Sequence, residues 1–239
     1  MQLVFLKLLI WKEGVIYHGG LLRFFHGFRV KETLQAKYHF PVAALNDGKA
    51  AALAELATGH LKGVTNGAAL VLGSGLGGGI IINGKLFQGS HFQAGELTFL
   101  LPLQMEKLDP SLMQGTTLSA IGLITKVNEI LASLDLKDGL LAFKAINAKK
   151  EAVYPIFETY CRNLAITILN LQTIFDMETF VLGGGISAQS ILIEEVNRQF
   201  DKVHHEIDFI GKIIKRPKIV ACHHNGTNLI GAAYFLKQG

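Results

Sequence analysis

VLGSGLGGGIIING, residues 71–84, contains a literal G-x-G-x-x-G at Gly73, Gly75 and Gly78. Such a triplet binds a dinucleotide when its third glycine opens a helix whose N-terminal amides receive the pyrophosphate. Here Gly79 leads into Ile80, Ile81 and Ile82, after which Asn83-Gly84 precedes Lys85-Leu86-Phe87. Three β-branched residues in a row favour a strand, and Asn-Gly between apolar runs signals a tight hairpin. The loop therefore lies between two strands, and the dinucleotide reading fails on context. A glycine turn between strands can still bind phosphate, because it takes positive φ and lets backbone N–H groups converge on an anion. It can equally be a turn that uses glycine for shape, and the loop alone leaves both readings open.

The flanking segments narrow the choice. Upstream, VAAL (42–45) reads as a short buried strand, and Asn46-Asp47 stand at the mouth of AAALAELATGHLKG, a good helix former closed by Gly59 or Gly63. Asp47 thus falls at a strand end and near a helix N-terminus, where it can act as a base or simply as a cap. KETLQAKYH (31–39) is helical in composition and stops before Pro41, while GVIYHGGLLRFFHGF (14–28) reads as turn and loop. Downstream, a strand runs through Lys85 to Gln88, and Thr116 to Leu134 reads as one helix. Residues 151–176 set Ile156, Tyr160, Leu164, Ile168 and Leu171 at three- and four-residue steps, a long buried helix. METFVLGGGIS gives a strand entering a second glycine turn, Gly183-Gly184-Gly185, and SILIEEVNRQF a helix after it. PKIVACHH is another strand, and TNLIGAAYFL a terminal helix with Thr227 or Asn228 as cap.

Strands and helices alternate throughout, so the class is α/β. Ligands of open α/β sheets sit at the carboxyl ends of strands. A glycine turn and a carboxylate at such a place are the minimum equipment for phosphoryl transfer. The backbone holds phosphate, and the base takes the proton of an attacking hydroxyl.

The chain has 239 residues, long for one domain and comfortable for two lobes. Hydrophobic residues make up 49% and charged residues 18%, which excludes a disordered chain. The net charge of +4 comes without a basic block; the densest cluster, KIIKRPK (212–218), reads as a solvated turn, and no nucleic-acid partner is expected. Cys161 and Cys222 lack metal or redox spacing and read as buried small apolar residues of a reducing compartment. MQLVFLKLLIW at the start carries only Lys7 as charge, has no small-residue cleavage site, and is shorter than the roughly 20 residues that cross a bilayer. It reads as a core strand or short helix, so no membrane partner is expected and the location is cytoplasmic. His223-His224, adjacent on a strand, would point to opposite faces and so do not form a metal pair.

Four blocks now carry a resemblance: PVAALNDGKAAALAE, VLGSGLGGGIIINGKLFQGSHFQAGEL, FVLGGGIS and NGTNLIGAAYF. In order and spacing they resemble the ROK family of sugar kinases and sugar-responsive repressors, over roughly Gly14 to Leu236. The resemblance implies the actin-like (ribonuclease H-like) sugar-kinase fold, two lobes with the active site in the cleft. It divides the chain into a remnant of the N-terminal lobe with the Asn-Asp pair and the start of an interlobe helix (1–66), the C-terminal actin-like lobe (67–226), and a C-terminal helix returning toward the N-terminal lobe (227–239). Carried over by position, Asp47 is the general base, and Asn46 and Glu96 hydrogen-bond the sugar. Gly73, Ser74, Gly75 and Gly77 line the ATP phosphates, and Gly183, Gly184 and Gly185 sit near the adenosine. Gly19 and Gly20 resemble the loop that covers the sugar, and His91 lies near that site. The cofactor implied is ATP with Mg2+, the partner a small-molecule sugar, and a homodimer is a further expectation.

Two departures qualify the likeness. Many members follow A-G-E with Gly-His and a cysteine-rich zinc motif, but here Phe99 stands at the histidine position and no cysteine occurs before Cys161. Without thiolate or imidazole ligands no structural zinc is expected. SHFQAGELTFL instead resembles the zinc-free branch that includes bacterial β-glucoside kinases. A later sugar-contacting Glu of that branch aligns with Gln114. The family's opening Asp-x-Gly-Gly-Thr turn, which contacts phosphate and magnesium, is not found, so the N-terminal lobe reads as truncated. The function implied is ATP-dependent phosphorylation of a hexose or glucoside hydroxyl, impaired by that loss. The alternative is a non-catalytic sugar-binding or regulatory remnant.

Overall fold

A computed structural model describes residues 3–5, 9–10, 14–17, 23–101, 107, 109–223 and 228–238. Its centre is a five-stranded sheet built from β5 (Gly67–Leu72), β6 (Leu76–Ile82), β7 (Lys85–Phe87), β8 (Thr179–Gly183) and β9 (Lys218–Ala221), in the order β7-β6-β5-β8-β9. β5, β6 and β7 form an antiparallel meander, whereas β8 and β9 extend the other edge in parallel. This mixed order, three antiparallel strands followed by two parallel ones, is the ribonuclease H-like arrangement. Four shorter strands precede it. β1 (Leu3–Phe5) pairs in parallel with β4 (Ala44–Asn46), and β2 (Leu9–Ile10) pairs antiparallel with β3 (Ile16–Tyr17).

Strand alternation sorts side chains onto two helical layers. Phe180 and Leu182 of β8, with Ala68, Leu70 and Leu72 of β5, face α4 (Ala120–Ile130), α5 (Gly139–Asn147), α6 (Tyr154–Phe175) and α7 (Ser190–Glu206). Val181, Ala69 and Ile81 face the opposite layer, made by α2 (Asp47–Thr58) and α9 (Asn228–Gln238). A small third cluster joins Ile16 to Val30 of α1 (Val30–Tyr38). Two short helices, α3 (Gln114–Thr117) and α8 (Asp208–Ile213), complete the set, and among the described residues no helix is long and apolar enough to cross a membrane.

Several sequence expectations move. The stretch expected as one helix from Thr116 to Leu134 is broken between α3 and α4, because Ser119 takes an extended conformation and its hydroxyl accepts from Gly122 N at 3.0 Å, starting a new helix. The strand expected over 42–45 lies at Ala44–Asn46, set by its pairing with β1. The 14–28 segment holds β3 and a 3-10 turn at Arg23–Phe25 besides loop. Cys161 is buried, as expected, and burial pushes its thiol well above the ordinary range, which keeps it protonated and inert. Cys222 is only half-buried: it follows the end of β9, packs at the margin of the α2-side core and has its sulfur 3.5 Å from the Ser187 hydroxyl.

The α6–α7 layer is pinned by Glu195, which accepts from Arg198 Nε (2.8 Å), Gln199 Nε2 (2.7 Å) and the Tyr154 hydroxyl (3.1 Å). Burial alone would raise its carboxyl, but these hydrogen bonds and the Arg198 charge outweigh it and hold the group below its ordinary 4.5. A depressed carboxylate adds stability that is present above its unfolded value and lost as pH falls through the folded one. Glu195→Gln is therefore expected to lower the urea midpoint at pH 7 and to shrink the loss of stability between pH 4.5 and lower pH. An acid-unfolding profile parallel to that of the unsubstituted chain would contradict this.

Candidate active site

α2 begins where β4 ends, with no residue between them. Asn46 makes the junction: its backbone is extended (φ −62°, ψ 147°), and its Oδ1 accepts from Gly48 N at 2.9 Å and Lys49 N at 3.4 Å. The cap position thus belongs to Asn46, and Asp47 is the first helical residue, where the helix dipole favours a carboxylate. Asp47 Oδ1 also accepts from Gly48 N, at 2.9 Å. Both side chains are nearly enclosed, at 7% exposure each.

Asp47 looks onto the glycine hairpin. Its Oδ1 lies 3.9 Å from the position a Cβ on Gly77 would take, and Gly77 is paired with Val71 just beyond the Gly73-Ser74-Gly75 bend. From the other side comes Glu96, half-buried at the start of a 3-10 turn, whose Oε1 accepts from Asn46 Nδ2 at 3.3 Å. Burial pushes the Glu96 carboxyl up; the Lys49 ammonium pulls it down, and the Asp47 charge pushes it up again. Asn46, Asp47 and Glu96, expected from sequence as a group, are thus brought together.

The glycines of the hairpin separate into two kinds. A Cβ on Gly78 would lie 2.6 Å from Gly95 O, and one on Gly79 would lie 2.5 Å from both Gly48 O and the Ala52 Cβ, so packing of α2 and the 88–97 loop onto β6 demands both. A Cβ on Gly73 would meet nothing within 4 Å, and its φ is not positive. Neither packing nor a positive φ demands glycine there. The second turn reaches the same place: a Cβ on Gly184 (φ +99°) would fall 2.1 Å from Leu72 O at the end of β5, while Gly185, again with open space, is exposed. Two glycine turns therefore sit side by side at the carboxyl ends of the parallel neighbours β5 and β8.

Next to the second turn opens a cavity of about 430 Å³ lined by Ser187, Ser190, Ile193, Glu194, Cys222 and His223, among others. Its size suits a small organic ligand. Ser187 braces the turn through its hydroxyl, which donates to Gly184 O at 2.8 Å. Sequence reading did not single out Ser187, Ser190, Ile193 or Glu194, whose signal is their place in the segment after Gly185, and it gave Cys222 and His223 no ligand role. Gln114 adjoins the 3-10 turn that follows Glu96: its N donates to Leu100 O at 2.8 Å, and its Oε1 accepts from the hydroxyls of Thr117 (3.4 Å) and Thr167 (3.3 Å). His91 and His223 are exposed, and Gly19, Gly20, His224 and Thr227 lie outside the described residues. Among the described residues no three His, Cys, Asp or Glu side chains gather as a metal-holding group.

The chain is similar to known proteins over most of its length. A β-glucoside kinase from Listeria innocua is 30% identical over 233 residues, covering 95% of this chain and 75% of the relative. Among solved structures, a ROK family protein from Streptococcus pneumoniae in complex with sucrose has a TM-score of 0.81 at 29% identity, covering 97% of this chain and 77% of that one. A ROK family glucokinase from Streptomyces griseus, solved with glucose and AMPPNP, has a TM-score of 0.76 at 23% identity, over 90% of this chain and 74% of that one. The profile of the ROK family matches residues 11–239, and the chain belongs to that family.

Proposed function

We propose that this chain transfers the terminal phosphoryl group of ATP to a hydroxyl of a hexose or glucoside, with Asp47 as general base. The observation that carries the reading is the Asp47 carboxylate 3.9 Å from the Gly77 Cβ position, beside a turn in which a Cβ on Gly73 would meet nothing within 4 Å. The similarity to a β-glucoside kinase and to a protein solved with sucrose supports a sugar as acceptor. Asn46 Nδ2 and Glu96 offer a donor and an acceptor for neighbouring sugar hydroxyls, and Asp47 accepts the proton of the attacking one. The Gly73 N–H is taken by Gly75 O at 3.0 Å, so the backbone N–H groups left to receive the phosphates at this bend are those of Ser74 and Gly75, and the cavity beyond Gly185 receives the nucleoside end. Magnesium bound with ATP would supply charge neutralisation; no side chain of this chain is assigned to it.

Positioning and charge stabilisation dominate phosphoryl transfer, and no Asp-x-Gly-Gly-Thr occurs in the 239 residues, so slow turnover is part of the proposal. A coupled ADP-release assay over a panel of hexoses and glucosides, with calorimetry for sugar and ATP separately, tests it. Sugar-dependent ADP release supports the reading, and the absence of any sugar binding overturns it. Turnover typical of a kinase overturns only the slow-turnover part.

Gly73 separates the phosphate role from the shape role. Gly73→Ala is expected to leave the melting temperature unchanged, since the added methyl enters open space. It should raise the KM for ATP about tenfold by holding the phosphates off the backbone, with sugar KM unaffected. An unchanged ATP KM would return this turn to a purely structural role.

A further inference from the structure

The first turn of α2 carries a group that the site described above does not use. Lys49 is 3% exposed, a rare state for an ammonium unless it is paired. Its Nζ donates to the backbone carbonyl of Phe92 and lies within electrostatic reach of Glu96. Phe92 is a non-glycine residue in the left-handed region (φ 59°), in the loop that runs from β7 to Glu96. That loop otherwise closes on itself: Ala94 N donates to Gln88 O, Glu96 N to Gln93 O and Leu97 N to Gly95 O. It touches β6 at Gly95 (φ +88°), whose Cβ position is 2.6 Å from Gly78 O. A loop with an uncommon backbone conformation at its middle needs something that over-determines it. The buried ammonium is that contact.

We propose that Lys49 is a positioning residue of the sugar site: it latches the 88–97 loop to the first turn of α2 through the Phe92 carbonyl, and so fixes Glu96 opposite Asn46. The latch rests on reading this cleft as a sugar site. Two charged groups act on Glu96 among the described residues, Lys49 and Asp47, and both come from α2. Burial lowers the Lys49 amine against the opposing pull of Glu96, and burial, with the Asp47 charge, raises the Glu96 carboxyl against the opposing pull of Lys49, so each offsets part of what burial does to the other. Lys49 also has the stem to reach Phe92 from a helix whose backbone is fixed by the Asn46 cap, which ties the two sugar-facing groups to one rigid element.

The test is Lys49→Met, which keeps the apolar stem and removes the ammonium, beside Lys49→Gln, which keeps a donor and removes the charge. Three readouts apply. Amide exchange at Ala94, Glu96 and Leu97 should quicken about tenfold or more in Lys49→Met, with α6 unaffected. The Glu96 carboxyl, followed by 13C NMR and assigned with Glu96→Gln, should titrate about one pH unit higher or more in both variants. Sugar affinity should fall about tenfold or more in Lys49→Met and less in Lys49→Gln, with ATP affinity unchanged. Unchanged exchange and an unchanged Glu96 titration overturn the proposal, as does equal loss of sugar and ATP affinity. The first two readouts need no ligand. If they respond while the unsubstituted chain binds no sugar, the sugar-site reading fails and the latch stands. Should Lys49→Met not fold, 15N-labelled lysine Nζ in the unsubstituted chain carries the test: a Lys49 resonance that shifts with sugar but not with ATP supports the latch, and one indifferent to sugar overturns it.

Discussion

Asp47→Asn is expected to slow sugar-dependent phosphoryl transfer by about 10²–10⁴-fold, the range for loss of a positioned general base. The substitution is nearly isosteric. Its carboxamide oxygen can still accept from Gly48 N, and the Asn46 cap that starts α2 is untouched. The lost interaction between a carboxylate and the helix N-terminus costs about 0.3–1 kcal/mol. What disappears is the acceptor for the hydroxyl proton. A second effect marks the correct cause: the Asp47 charge raises the Glu96 carboxyl, so in Asp47→Asn Glu96 should titrate lower. Single-turnover measurement with labelled ATP keeps the comparison valid even for a slow enzyme. A rate within tenfold of the unsubstituted chain would remove Asp47 from the chemistry, and a melting temperature that collapses in parallel would assign the loss to folding.

The parts of this molecule legible in sequence are those decided by local backbone chemistry. Asn83-Gly84 announced a hairpin, and both residues indeed take positive φ (52° and 69°) between β6 and β7. The Asn46-Asp47 pair announced a helix start, and METFVLGGGIS announced the strand found at Thr179–Gly183. Where the reading fell short, long-range contacts made the decision. α5 and α8 are short and were not seen, because nine and six residues give too few turns for periodicity to speak. Lys49 drew no reading, since nothing in the sequence says that the 88–97 loop folds over it. Of the run Gly77-Gly78-Gly79 only Gly77 was matched to the ATP phosphates, and the other two are demanded by the backbone of α2 and of Gly95. Glycine-rich text thus mixed two causes that only coordinates separate.

Gly48→Ala exposes how closely the catalytic geometry depends on that packing. On helix propensity alone, alanine in place of a helical glycine should stabilise by about 0.5–1 kcal/mol. The steric term opposes it and wins. A Cβ on Gly48 would stand 2.6 Å from Gly78 N and 2.7 Å from Gly78 O, and those atoms belong to the central sheet, where no side-chain rotation can relieve the overlap. Overpacking of this kind costs about 1–3 kcal/mol, so a net loss is expected in spite of the propensity gain. The relief available is a shift of α2 away from β6, and Asp47 is the residue next to the point of contact. A displacement of about 1 Å can cost about a hundredfold in rate, so the substituted chain should lose activity beyond what its stability explains. Thermal melts and single-turnover rates on Gly48→Ala, set beside Gly73→Ala in the same hairpin region, separate the two kinds of glycine: the first should lower both the melting temperature and kcat, the second neither melting temperature nor sugar KM. If Gly48→Ala melts higher and turns over normally, the close seat of α2 on the glycine strand is not what aims Asp47 at the loop.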